Sequence, residues 1–544
     1  MSWLKRWEPE DAQFWKQEGS GRAWGTLSVT TFSLIASFAT WFVMSAVVVR
    51  LPQIGFKFDT MQLFWLAAMP GLSAGAMRTV HTFLIPIFGT RMTITVATFI
   101  KLIPMIWLGY AVQNPETPYM HFLMISFLCG FGGGDFSSYM PSTSTFFPKR
   151  LQGTAMGLQA GIGNFGVSIV QFVTPWIIGF AVVAAAGPSQ VMTKATPVFD
   201  VKITKEAGVI KDVIVVGKLA GAMTVVKNEA GLVQDVIIAE TDATKGMKTD
   251  VKKNADGIVT DLTVKKIIKK DIWLQNAALW YVPYLLIAGI ICGVYLRSIP
   301  MKKPSFGKMI GDMTNNKHAY FMVWTYIMTF GSFSGFAASF PLMIKTIYWG
   351  IPGMDMALAP DPLKYAWMGP FIGSIVRFAG GPLSDKFGGS IFTQLSGVGL
   401  IAGCAALIFG GFLTPTSIDQ FPMFVYIMLW IFLMAGIGNF ATFRQYPIVY
   451  AYNPRMGAQI LGWTGAWAAY GPFVFSALIG GSITKYGSAI PFFAGAAVFY
   501  FIGSILNWIY YTKPGAERGD WGVGKTWWDR ISESERQKYI AANP

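Results

Sequence analysis

Residues 69–91 read MPGLSAGAMRTVHTFLIPIFGTR, and residues 368–389 read MGPFIGSIVRFAGGPLSDKFGG. Both runs are apolar enough to lie in a membrane, yet each carries an arginine in its interior. Each arginine stands eleven residues before the glycine of a Phe-Gly pair, Arg78 before Gly89 and Arg377 before Gly388. A matched charge at a matched distance from a matched Phe-Gly pair marks a duplicated half. Two further texts repeat the relation: GGGDF (132–136) resembles GIGNF (436–440), and FPKRLQGTAMG (147–157) resembles NPRMGAQILG (453–462).

The rest of the chain agrees with a membrane setting. Its 544 residues are 53% hydrophobic, 15% aromatic and only 13% charged, which excludes a water-soluble domain over most of the length. Apolar stretches of about 20 residues, enough to cross roughly 30 Å of hydrocarbon, recur throughout. Twelve are predicted, near 27–50, 61–85, 92–112, 120–146, 153–184, 274–297, 318–345, 363–385, 390–413, 421–450, 457–482 and 488–511. The expected fold class is an all-α membrane protein of two pseudo-symmetric six-helix halves.

If the segments alternate, Lys5, Arg6, Arg22, Arg91, Lys149, Arg150, Arg297, Lys302, Lys303, Lys308, Lys386, Arg455 and Lys513 fall on one side. That side is the expected cytoplasmic face, with both termini on it. Arg50, Lys57, Lys345, Lys364 and Lys485 fall on the other side, in its short loops. Topology and anionic lipid then account for the formal charge of +15, and no nucleic-acid partner is needed. The polar, amphipathic start of the chain does not read as a cleavable signal peptide. Cys129, Cys292 and Cys404 sit singly in predicted membrane segments and read as small buried apolar residues. The tail from Lys513, with Trp521, Trp527 and Trp528 among charges, reads as an interfacial segment.

One long polar interval interrupts the pattern. It contains KEAGVIKDVIVV (205–216), KNEAGLVQDVII (227–238) and KNADGIVTDLTV (253–264), each a turn ending in Gly followed by alternating apolar positions. With Gly208, Gly231 and Gly257 as turn residues and FDVKIT, AMTVV and MKTDVKK as partner strands, three β-hairpins are predicted. Units of roughly 25 residues that cannot bury a face alone stack, so a small β domain capping the outer mouth is expected. The expected organisation is an N-terminal segment (1–26), first-half helices (27–185), the hairpin insertion (186–271), a sixth helix (272–300), a cytoplasmic linker (301–317), second-half helices (318–511) and a Trp-rich tail (512–544).

Related halves in one membrane chain point to a carrier with its site near the midplane between them. GPLSDKFGG (381–389) is similar to the loop motif of the major facilitator superfamily, whose Asp, here Asp385, helps latch helices between states. The first-half counterpart FLIPIFGTR is degenerate. FFPKRLQGTAMGLQAGIGNFGVSIVQ (146–171), the Arg-bearing second segment and YIMTFGSFSGF (326–336) resemble the nitrate/nitrite porter family of that superfamily. The resemblance covers nearly the full chain apart from the hairpin insertion and implies a twelve-helix major facilitator fold in the plasma membrane. It implies secondary active transport of a small anion, nitrate or nitrite, by alternating access.

An arginine at mid-membrane costs at least about 2.5–3.5 kcal/mol on insertion scales, and an anion would compensate it. Arg78 and Arg377 can bracket a planar oxyanion with forked donors that Lys lacks. The resemblance further implies that Phe136 and Phe330 sandwich the anion, that Tyr326 donates a hydrogen bond and that Asn164 contacts it. Gly161, Gly163 and Gly166 are expected to let helices approach and slide. Asp135 stands where the family has Asn, and Arg444 where it has a neutral residue. A buried Asp135–Arg444 pair, a proton-accepting Asp135 that couples symport, and a site remade for a carboxylate are the three readings of that departure. His81 reads as a packed histidine or a proton carrier. No cofactor or metal is implied, and no nucleotide loop, metal cluster or nucleophile triad suggests an enzyme. The expected partners are the anion, the lipid bilayer and, under symport, protons, with the chain a monomer. A carrier for another anion, or a non-transporting sensor, is the alternative.

Overall fold

The structure, a computed structural model, describes residues 3–181, 187–197, 201–206, 208–215, 221–241, 244–300, 307, 310–311, 314–351, 358–520 and 526–542. Trp521, Lys302, Lys303 and Lys308 lie outside the described residues. In chain order the main helices are α1 (Ser20–Val47), α2 (Thr60–Ile100), α3 (Leu102–Ala111), α4 (Tyr119–Cys129), α5 (Phe131–Gly134), α6 (Phe136–Phe146) and α7 (Lys149–Ile177). After the insertion come α8 (Tyr281–Tyr295), α9 (Lys317–Tyr326), α10 (Ser332–Tyr348), α11 (Met368–Ala379), α12 (Gly381–Phe387), α13 (Gly389–Phe409), α14 (Phe421–Val449), α15 (Pro454–Ala469), α16 (Gly471–Tyr486) and α17 (Ile490–Asn507).

Nine helical spans among the described residues are long and apolar enough to cross a membrane, so the chain is a multi-pass membrane protein. One of them, Thr60–Ala111, has 52 residues; drawn straight it would reach about 78 Å. It breaks at Gly89, whose φ of 76° is open to glycine and strained for other residues. Thr93 Oγ1 donates to the Leu84 carbonyl at 3.3 Å, nine residues back, where a straight helix would separate the two by about 13.5 Å. The chain therefore reverses at Gly89, and a Cβ there would stand 2.4 Å from Ser298 Oγ. Gly388, eleven residues after Arg377, also has a positive φ, 91°.

Among its described residues the polar interval holds seven strands, Gln190–Pro197 (β1), Val201–Glu206 (β2), Val209–Val215 (β3), Met223–Lys227 (β4), Val233–Ile238 (β5), Met247–Lys253 (β6) and Val259–Ile272 (β7). β2 pairs with β3, β4 with β5 and β6 with β7, all antiparallel, around Gly208, Gly231 and Gly257, each with a positive φ. β1 joins the long β7. The shared core of the hairpins is Ile210, Val213, Val233, Val236, Val259 and Leu262, the second and fifth residues after each turn glycine. Each repeat thus contributes one strand face, and stacking buries what a lone hairpin would expose.

Each terminal segment is anchored to one half. Trp15, with Leu4 and Trp7, packs on Leu27, Phe146, Phe147 and Ile299. At the other end, Arg518 sits over the rings of Tyr450, Tyr452 and Trp527 and donates to the Val449 carbonyl at 3.1 Å. Trp527 is buried and donates through Nε1 to the Ile448 carbonyl at 2.8 Å. This corrects the interfacial reading of Trp527: an aromatic residue beside charges is covered here by the protein itself, through cation–π packing. Asp520 accepts from the Gly389 amide at 2.8 Å, and burial pushes its pKa up to about 6 from 3.8. A raised carboxyl pKa favours the docked tail when the group is protonated, fully below about pH 4, and loses that contribution as pH rises through about 6. Limited proteolysis of the tail is expected to slow on acidification across that window, and Asp520→Asn to remove the dependence.

Candidate functional site

Arg78, on α2, is fully buried and Arg377, on α11, nearly so. Arg78 is held by its own half and by the other: Nε donates to the Gly133 carbonyl at 2.9 Å and Nη1 to the Gly465 carbonyl at 2.6 Å. Its Nη2 has no hydrogen-bond partner among the described residues, and neither has Nη1 or Nη2 of Arg377. The pseudo-equivalent arginines therefore converge with donors to spare, and no carboxylate pairs with either among the described residues.

Aromatic rings wall the space between them. The Arg78 guanidinium lies 4.8 Å from the Phe136 ring and 5.2 Å from the Phe330 ring. Arg377 lies 6.0 and 5.4 Å from the same two rings. Phe330 sits on a π-helical turn, Ile327–Gly331, between α9 and α10, a local widening common where a helix presents functional groups. Tyr326 stacks on Phe330 at 5.5 Å, and its buried hydroxyl faces the Arg377 guanidinium.

Arg78, Arg377, Phe136, Phe330 and Tyr326 thus come together. Asn164 is fully buried on α7 with both amide atoms unpartnered among the described residues, but no hydrogen bond ties it to either arginine. Three neighbours escape a reading of the sequence. Phe443 lies 4.7 Å from the Arg377 guanidinium, and Trp41 lies 5.6 Å from that of Arg78. Asn439, one helical turn before Phe443, has a buried, unpartnered amide. The GIGNF text shared by 161–165 and 436–440 was the available signal for Asn439.

The expected Asp135–Arg444 pair does not form. Asp135 takes Lys101 instead, with Nζ at 2.5 Å from Oδ2, while Ser37 donates to the same oxygen at 2.7 Å. Arg444 Nε pairs with Asp385 of the loop motif at 3.1 Å, a surface contact with side chains 25% and 72% exposed. The error lies in depth along the helix. Asn439, not Arg444, is the counterpart of Asp135, and five residues displace Arg444 by about 7.5 Å along α14. His81 is a packed histidine: Nδ1 contacts Ser138 Oγ at 2.8 Å and Nε2 lies 3.8 Å from Asp135.

The three glycines of α7 divide. A Cβ on Gly163 would meet Leu34, and one on Gly166 the Ile35 carbonyl, both on α1 of the same half. Only Gly161 faces the other half, 3.2 Å from Phe378. The three cysteines are free and buried.

A multi-pass helical bundle with an arginine pair buried where its two halves meet is the arrangement of a membrane carrier. No family model matches the sequence. Among solved structures the chain is similar to a bacterial homologue of the human lysosomal transporter Spinster, inward-facing and unoccupied. The TM-score is 0.51 at 14% identity, over 89% of this chain and 97% of that one, a likeness that carries the fold alone. The chain is 45% identical to a probable nitrate/nitrite antiporter, NarK2, of Thermus thermophilus, over 95% of this chain and 98% of the relative. It is 31% identical to the nitrate/nitrite transporter NarU of Escherichia coli (strain K12), over 94% and 96%. It belongs to the nitrate/nitrite porter family of the major facilitator superfamily.

Proposed function

We propose that this carrier exchanges nitrate and nitrite by alternating access, with the anion held between Arg78 and Arg377. The observation that carries the reading is the set of donors without a partner among the described residues, Arg78 Nη2 and both Arg377 Nη atoms. Buried polar groups are normally satisfied, and forked, charge-assisted donors suit a planar oxyanion. The rings of Phe136 and Phe330 restrict the slot to a flat ligand. Two uncompensated guanidiniums also favour exchange, because moving the site unloaded would carry both charges through a low dielectric without an anion.

Twelve crossings fit the structure when the Gly89 reversal divides Thr60–Ala111 into two and the broken α4–α6 and α11–α12 runs each count as one. The cationic loops favour cytoplasmic termini, which places the hairpins outside the cell over the outer mouth. On that side Arg50 and Asp361 join the two halves through a forked ion pair, Nη2 lying 2.7 and 2.6 Å from the two carboxylate oxygens. β1 lies against the same turn, where Thr193 donates to the Gln53 carbonyl at 3.4 Å. We read the pair as an outer gate. Arg50→Ala is expected to raise labelling of a cysteine placed at Phe443 by an impermeant thiol reagent about tenfold, a bias of ~1.4 kcal/mol. The reciprocal Arg50→Asp, Asp361→Arg variant is expected to return labelling toward the parent.

The test of function is counterflow in proteoliposomes containing a pH dye. Nitrate uptake is expected to require internal nitrite or nitrate and to leave the internal pH unchanged. Uptake into empty vesicles with acidification would replace exchange by symport, and binding without flux would make the protein a sensor. Flux of a carboxylate in place of nitrate would move the substrate to the other anion class.

A further inference from the structure

Lys101 lies between α2 and α3 inside an apolar run, fully buried, and no role in holding the anion falls to it. Its ammonium donates to the Ala97 carbonyl at 2.6 Å and to Asp135 Oδ2 at 2.5 Å. Asp135 joins α5 to α6, between two residues that touch Arg78. Gly133 offers Arg78 its carbonyl, and Phe136 lies against the Arg78 guanidinium. Whatever holds Asp135 therefore holds one wall of the anion slot.

We propose that Lys101 is a positioning residue of the anion site: its ammonium holds the Asp135 carboxylate, and with it the Gly133–Phe136 wall, out of ion-pair contact with Arg78 through the whole transport cycle, so that Asp135 takes no part in proton coupling. The inference rests on the exchange reading. Among the described residues, the polar and titratable groups that face Asp135 belong to the first half. Lys101 and His81 come from the Thr60–Ala111 span and Ser37 from α1. Tyr139 of α6 is reached through Ser33, which bonds both Tyr139 and Thr98 at 2.7 Å. Cys292 of α8 lies against Ser33 and Thr98. A proton carrier must meet different surroundings on the two sides of the membrane. A carboxylate enclosed by one half meets the same partners throughout, because rocking of the halves leaves each half's interior intact.

The pair has a distinctive signature when broken from either side. A buried carboxylate without its ammonium favours the protonated form, and a buried ammonium without its carboxylate favours the deprotonated form. Lys101→Met is therefore expected to slow nitrate/nitrite exchange at least about tenfold at about pH 8 and to recover on acidification toward about pH 6. Asp135→Asn is expected to show the mirror image, worst at the acid end and recovering at the alkaline end. The double variant, with neither charge, is expected to be flat with pH, as is wild type, and to exchange faster than Lys101→Met at about pH 8 and than Asp135→Asn at about pH 6. Flatness of the double variant also separates the pair from any titration of His81.

Purified wild type and the three variants in proteoliposomes, with internal pH followed during exchange, give the flux profiles. Unfolding temperatures of the same four proteins at the same pH values read the pair without transport. Mirrored profiles in flux and in unfolding temperature support the proposal. Defects equal at every pH and uncorrected in the double variant overturn it, as does proton uptake by wild type that Asp135→Asn abolishes. Mirrored unfolding temperatures with flat flux would leave a structural pair and overturn the role in transport. If wild type carries no nitrate while the unfolding temperatures mirror, the exchange reading and the positioning role fall and the pair stands. If Lys101→Met does not fold, Asp135→Asn against the double variant decides by the same rule.

Discussion

Lysine in place of Arg78 or Arg377 is expected to lower nitrate exchange by roughly 100-fold or more, although the charge is kept. A hydrogen bond to a charged group is worth about 1.5–3 kcal/mol, and each 1.4 kcal/mol is about tenfold. A lysine ammonium is a compact point charge and cannot present two coplanar donors to one oxyanion. At position 78 the change also removes the donors that reach the Gly133 and Gly465 carbonyls, 2.9 and 2.6 Å away. Arg78→Lys is therefore expected to be the worse of the two. Counterflow rates at saturating and limiting nitrate measure this; near-normal exchange by either variant would refute the paired-arginine site.

The second large effect concerns folding. Valine at Gly166 is expected to leave little folded protein, because even the first carbon of its side chain would stand 2.2 Å from the Ile35 carbonyl oxygen and 2.9 Å from the Ala39 nitrogen. Both are main-chain atoms of α1, so relief requires the two helices to separate. Overpacking a close contact commonly costs about 1–3 kcal/mol, and a backbone clash lies at or beyond the upper end. Alanine at Gly161 would approach only Phe378, at 3.2 Å, and is expected to fold. Yield of monodisperse protein and unfolding temperature, compared between the two variants, check the contrast.

Several features were legible because one residue type at one spacing had one physical meaning. The eleven-residue interval from arginine to glycine marked the related halves; that both glycines also take a positive φ is a finding of the structure. The three turn glycines predicted the hairpins, since each stands in the same repeated text just ahead of alternating apolar positions. The arginine pair was legible because a charge at mid-membrane demands compensation. The same rule applied to Lys101 would have found the partner of Asp135. Lys101 passed unnoticed because it lay in a segment read for its length, while Arg444 drew attention as a departure from a motif. Phe443 and Trp41 carried no signal, because in a chain this rich in aromatics only three-dimensional packing distinguishes a wall of the site from a filler of the core.

The anchoring of the two terminal segments has a practical consequence. The first rides on Phe146, Phe147 and Ile299, and the last is fastened to Ile448, Val449 and Gly389. Each is therefore a rigid handle on a different half of the carrier. A donor dye on the leading segment and an acceptor dye on the trailing one would report the rocking itself, molecule by molecule, without a label anywhere near the anion.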